Sequence, residues 1–342
     1  MVRFEENGAV VTPARAATGR RGRRFGLRQA AALVAGAGLL NGAVCAETLA
    51  QPKSDALERK AANYVQYRQD VAAIEADKID GPAATREAHK RLAAHDPANL
   101  SGGWVAYAAL VAASTPDFVE SIKKETSRRK RHKGLRGRDA FFARLSEDPS
   151  FPRKLPGAKA ATERVLSMTL NDGARFVSLG ETFKTQAYAM QKTKWGKKRI
   201  AASSVRLTEA SAFADARTPY EPIAAGTEDG GVKTPTLGGD GWTPEWGDGA
   251  RRGKISESNA QVVMDRVLNL AARYAIGGLN EKVVDVYAKN NKSEQCLSMA
   301  RLTLRQCIAA TRTPYEEAFC LGEHGLNDVS DCMGWVAGVG SS

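Results

Sequence analysis

Four cysteines fall in the last fifty residues of this 342-residue chain: Cys296, Cys307, Cys320 and Cys332. Thiols at such spacings can ligate a metal, act as nucleophiles or pair as disulfides, and each role needs a different neighbourhood. Zinc motifs place two cysteines within a few residues of each other. Here Cys320 and His324, four apart, come nearest to a ligand pair, with another of the cysteines needed to complete the site. A catalytic thiol needs an activating partner, and His324 is the only histidine at hand. Disulfides need only an oxidising compartment and an even count. The fifth cysteine, Cys45, lies in a segment that reads as a removable leader, which leaves four.

Helix geometry then selects among the three possible pairings. If residues 293–310 form one helix, Cys296 and Cys307 share a face but stand roughly 16 Å apart along its axis. A disulfide requires Cα atoms within about 7 Å, so these two cannot pair while that helix exists. Thr313-Pro314 turns the chain, and a second helical segment runs back from Tyr315. In an antiparallel hairpin the near ends meet and the far ends meet, which pairs Cys307 with Cys320 and Cys296 with Cys332. Twelve residues separate Cys320 from Cys332, about 120° out of phase on an unbroken α-helix. A break is therefore expected within GEHGLND (322–328), with Gly325 as C-cap and Asn327 or Asp328 as the next N-cap. In outline the hairpin resembles the twin-cysteine hairpins of coiled-coil-helix-coiled-coil-helix domains. Its cysteine spacing differs, and the likeness is one of mechanics, not of kinship.

The elements that must position this hairpin are helical throughout. Alanine is abundant and alternating β-branched runs are scarce. Residues 54–78 space Leu57, Ala61, Tyr64, Val71 and Ile74 on one helical face, and Gly81-Pro82 ends that run. Helices follow over 83–95 and over 101–114. The latter is nearly free of charge and reads as buried, with Trp104 and Tyr107 as packing residues. Thr115-Pro116 starts another helix, and 137–147 forms a short one with Phe141, Phe142 and Leu145 inward. From 157 to 195 a long stripe runs from Val165 to Trp195, with Gly173 and Gly180 either kinking it or admitting a close neighbour. Residues 256–276 read as a helix with Ser258 and Gln261 as a capping box. The expected fold is all-α: a multi-helix bundle over 47–218, a flexible Gly/Pro-rich linker over 219–255, and a C-terminal helical segment with the disulfide hairpin over 256–342.

Residues 1–46 combine an arginine-rich start, a short apolar stretch (AAALVAGAGLLNGAV) and small residues near Ala46, which is the layout of a secretory signal. The apolar stretch falls short of the roughly 18 to 20 residues of a membrane span. Export to a bacterial periplasm is expected, with an uncut inner-membrane anchor as the alternative. The paired arginines at 20–21 and 23–24 approach a twin-arginine signal imperfectly. The net charge is +12. The leader carries seven arginines against two glutamates, so the remainder keeps +7, compatible with an anionic partner. The densest cluster is KKETSRRKRHKGLRGR, with Lys123, Lys124, Arg128, Arg129, Lys130, Arg131, Lys133, Arg136 and Arg138. In an exported protein such a run meets lipid headgroups or wall polymers. Nucleic acid is disfavoured, because no aromatic residues are interleaved for base stacking.

Searches for catalytic motifs fail. ARRGKI (250–255) lacks phosphate-loop spacing, and no GxSxG, HExxH or calcium loop occurs. Glu181, in a Gly-flanked helical stretch, is an example of the lone acid that a wall-cleaving enzyme would employ, without an accompanying motif. The functional expectation is an exported helical binding or structural protein of the cell envelope, without cofactor or metal. Its expected partners are envelope proteins or an anionic envelope polymer or lipid surface. A peptidoglycan-active enzyme and a membrane-anchored scaffold are the alternatives.

Overall fold

The computed structural model describes residues 55–77, 79–128, 132–218, 253–255 and 257–339. The leader, and the expected linker apart from residues 253–255, lie outside the described residues. Among the described residues the fold is all-helical: α1 (Asp55–Ala76), α2 (Pro82–Ala93), α3 (Pro97–Ala113), α4 (Pro116–Ser127), α5 (Gly137–Glu147), α6 (Ala158–Met190), α7 (Ser203–Ala216), α8 (Ser258–Ala275), α9 (Glu281–Tyr287), α10 (Asn291–Ala310), α11 (Pro314–Cys320) and α12 (Asp328–Gly334). Leu321–Asn327, between α11 and α12, is π-helical.

The centre is α3. It carries no charged residue, and every position from Leu100 to Ala113 is buried, as befits a helix that is apolar all round. Asp96 caps it by accepting from the Asn99 N–H (3.0 Å), and Pro97 opens its first turn. Helices α1, α8, α10 and α6 pack around it. None of the described helices is long and apolar enough to cross a membrane. Core residues from before and after 219–252 belong to one hydrophobic cluster, with Val263, Met264, Val267 and Leu268 of α8 joining Trp104, Val105 and Val111 of α3.

Two connected polar sets are built into this core. Arg68 on α1 pairs with Asp172 on α6 (3.1 Å), while Tyr64 donates to the same carboxylate (2.8 Å) and Arg68 also donates to Tyr107 (2.6 Å). Burial pushes the Asp172 carboxyl up, against the pull of Arg68. A second set ties the residue after α7 to α1 and to the turn after α2: Asp70 accepts from Arg217 Nη2 (2.7 Å) and contacts His95 Nε2 (2.7 Å).

Three local expectations need correction. The long helix α6 ends at Met190, and Trp195 sits in the turn that follows instead of extending the helical stripe. The N-cap of α8 is Glu257, and Gln261 does not close a capping box; its amide donates to Asp265 one turn on (3.1 Å). The hairpin's returning limb is not broken at Gly325 or Asn327. Both Asn327 and Asp328 stay in the right-handed helical region, and the backbone continues through the π segment. A π turn takes in nearly one residue more than an α turn. Over seven residues its slower winding removes about a third of a turn, roughly the 120° by which the two cysteines were out of phase.

Gly180 resolves toward a close neighbour, not a kink. A Cβ there would lie 2.8 Å from the Gly322 carbonyl oxygen, and one on Gly322 would lie 2.5 Å from the Gly180 carbonyl oxygen. The facing pair lets α6 and the π segment meet backbone to backbone, which fixes the hairpin against the bundle.

Candidate functional site

The cysteines form two nested disulfides, Cys296–Cys332 with Cα atoms 5.3 Å apart and Cys307–Cys320 at 5.7 Å. With all four thiols bonded, neither a thiolate ligand nor a nucleophile remains among them. His324 contacts Asp328 one turn away (2.9 Å), and among the described residues no group of three His, Cys, Asp or Glu side chains is placed to hold a metal ion. Glu181 is exposed and accepts from Lys184 (3.0 Å) and Asn327 (2.9 Å). The Lys184 ammonium, with help from Asn327, holds its carboxyl below the usual range. A general acid needs the opposite shift.

The basic run is partly spent on local contacts. Of its described members, Arg128 pairs with Glu125, Lys133 with Glu147 (2.6 Å), and Arg138 donates to the Ile276 carbonyl (3.3 Å) while covering the Phe142 ring. Lys123, Lys124 and Arg136 are exposed or nearly so. Arg129, Lys130 and Arg131 lie outside the described residues. Its tip is a two-residue turn, Lys133-Gly134, with φ of 48° and 79°, and the flanking His132 and Leu135 exchange backbone hydrogen bonds (3.0 and 2.9 Å).

A second cationic element stands elsewhere, in the turn after α6, over 191–200. Lys192, Lys194, Lys197, Lys198 and Arg199 all face solvent, and none has an ion-pair partner among the described residues. The turn is nevertheless held in one shape. Thr193 N donates back to the Met190 carbonyl (2.8 Å), Gly196 N donates to Thr193 Oγ1 (2.9 Å), and Ile200 N donates to the Arg312 carbonyl at the hairpin's bend (3.1 Å). Trp195 packs half-buried against the core. Gly196 is obligatory, since a Cβ there would sit 2.0 Å from the Met190 carbonyl oxygen.

Beside this turn a recess of about 370 Å³ opens over the Cys307–Cys320 disulfide, walled by Ala187, Tyr188, Ala310, Tyr315 and Phe319. Gln191 and Tyr315 carry it into a second hollow that Lys192, Lys197 and Thr313 complete. Tyr188 stands 63% exposed at the rim, edge-on to Phe319 with ring centroids 6.4 Å apart. An apolar floor thus adjoins a fixed cationic edge.

Buried charge holds the far side. Arg206 on α7 donates to Glu317 Oε1 (2.9 Å), to the Thr311 carbonyl (2.9 Å) and to Thr311 Oγ1 (2.9 Å). A larger pocket there, about 690 Å³, contains five cations. Arg86 is committed to Glu209 and Arg206 to Glu317, so much of that charge is neutralised in place.

Sequence reasoning missed the 191–200 turn. Its signal lay in the absence of acids: from Thr182 to Thr208 the chain has seven Lys or Arg and not one Asp or Glu. No protein-family model, curated protein or solved structure matches this chain, so the site is read from its chemistry alone.

Proposed function

We propose that this chain is an exported, disulfide-braced helical protein that works by binding an anionic surface in the bacterial cell envelope, with the 191–200 turn as its contact. The observation that carries this reading is the turn itself: five exposed cations without ion-pair partners among the described residues, on a backbone held by its own hydrogen bonds. A preorganised cationic edge loses little conformational freedom on contact with a polyanion. Two disulfides support export, because such bonds persist in oxidising compartments. The basic, apolar and small-residue order of residues 1–46 supports the same route.

The test has two parts. Fractionation of a producing bacterium, with intact-mass measurement, should find the chain in the periplasm without its first 46 residues and four hydrogens lighter than the reduced form. The purified chain should then sediment with phosphatidylglycerol vesicles in low salt, and far less with phosphatidylcholine vesicles. A cytoplasmic, fully reduced protein that ignores both vesicle types would sink the reading.

A further inference from the structure

We propose that the recess over Cys307–Cys320 binds the tail of a single-chain anionic amphiphile, whose head is held by Lys192 and Lys197. The proposal rests on the binding reading above and specifies a ligand for the same face.

The lining argues for the tail. Ala187, Ala310, Tyr315, Phe319 and the disulfide present carbon and sulfur. The polar groups among them are largely committed: Thr311 offers its carbonyl and hydroxyl to Arg206, and Glu316 Oε2 accepts from the Arg312 and Thr313 N–H groups (2.7 and 3.0 Å). Desolvating this floor therefore strands little, and an apolar occupant recovers area that Tyr188 and Phe319 now expose. The volume, about 370 Å³, sits at the small end of ligand pockets and suits one chain better than two.

The rim argues for the head. Lys192 and Lys197 bound the adjoining hollow. Among the described residues the adjoining hollow has no carboxylate in its lining, and the one carboxylate that lines the recess, Glu316, is engaged as a helix cap. An anion at that edge meets two ammonium groups as charge partners, and a neutral head forgoes that attraction.

Titration calorimetry of the full oxidised chain at pH 7 with dodecyl phosphate, kept below micelle formation, tests this. The expected result is saturable binding of one molecule per chain. Laurate should bind comparably; dodecyl maltoside and inorganic phosphate should each bind at least tenfold more weakly. Ala310→Trp fills the recess from an exposed helical position and should weaken dodecyl phosphate at least tenfold. Tyr188→Glu, a rim change that leaves the core untouched, should do the same, and Lys192→Gln with Lys197→Gln should lower affinity about tenfold. Inorganic phosphate binding as well as dodecyl phosphate would overturn the proposal, as would wild-type affinity in both Ala310→Trp and Tyr188→Glu. A dimer in sedimentation that Ala310→Trp dissociates would assign the recess to a second copy and overturn it too. If dodecyl phosphate fails to bind while the chain still sediments with phosphatidylglycerol vesicles, this inference falls and the broader reading stands.

Discussion

Residues 123–138 and residues 191–200 are both basic, and they use their charge differently. The first stretch has nine cations in sixteen positions, the second five in ten. In the first, Arg128, Lys133 and Arg138 answer to Glu125, Glu147 and the Ile276 carbonyl. In the second, no described acid meets any of the five, and the backbone is pinned by Thr193, Gly196 and Arg312. Charge density along a chain and charge available to a partner are separate quantities. What separates them is where the carboxylates fall in space. An exposed ion pair adds little stability, but it does mask a binding charge.

The largest effect should come from undermining the second region's support. Arg206→Met leaves Glu317 buried without its guanidinium and removes the bonds that hold the Thr311 end of the hairpin. Breaking one side of a buried pair costs about 3–5 kcal/mol. Urea unfolding should show a loss of that size, whereas Lys133→Gln in the first region should change stability by less than about 1 kcal/mol. Next in size is the loss of available charge. Replacing Lys192, Lys194 and Lys197 with Gln should weaken partition onto anionic vesicles by about 1 kcal/mol per lysine. The same treatment of Lys133 should leave partition nearly unchanged, and equal losses from the two regions would erase the distinction drawn between them.

The smallest effect is a pH dependence. The Lys133 hydrogen bond, with help from His132, holds the Glu147 carboxyl below its ordinary range. A depressed carboxyl keeps its proton off until the pH falls through the lowered value, so the pair persists through the usual carboxylate range and is lost only in stronger acid. Glu147→Gln frees Lys133 at every pH. On a sulfated column this variant should be retained slightly longer than the parent near neutrality, and the gap should close only below the ordinary glutamate range. A gap that closes above pH 5 would show that Glu147 is not held down.

Much of the helical framework was legible because proline and glycine mark its joints. Pro82, Pro97, Pro116 and Pro314 each open a helix, and the start of α5 at Gly137 follows its turn. The disulfide pairing was legible because helical rise forbids one partner and hairpin topology forbids another. Helix α7 was not. Only Arg206 and Ala210 of its residues are buried, so it shows almost no apolar stripe. Its place is set instead by Glu317, Arg86 and Asp70, residues that lie far away in the chain and pair with its Arg206 and Glu209 and with Arg217 just after it. The 191–200 turn was hidden for a related reason. Unpaired lysines after a helix look the same in sequence as solvated ones, and only the long acid-free interval around them sets them apart.

The π-helical segment carries a consequence for how the gene can change. Deleting a single codon within 321–327 would leave Cys320 and Cys332 eleven residues apart, close to three α turns, so Cys332 would still face Cys296 only if the whole segment rewound from π to α. Substitutions there are filtered by packing against Gly180. Insertions and deletions are filtered by whether two sulfur atoms still meet, so the hairpin inspects its own reading length as well as its spelling.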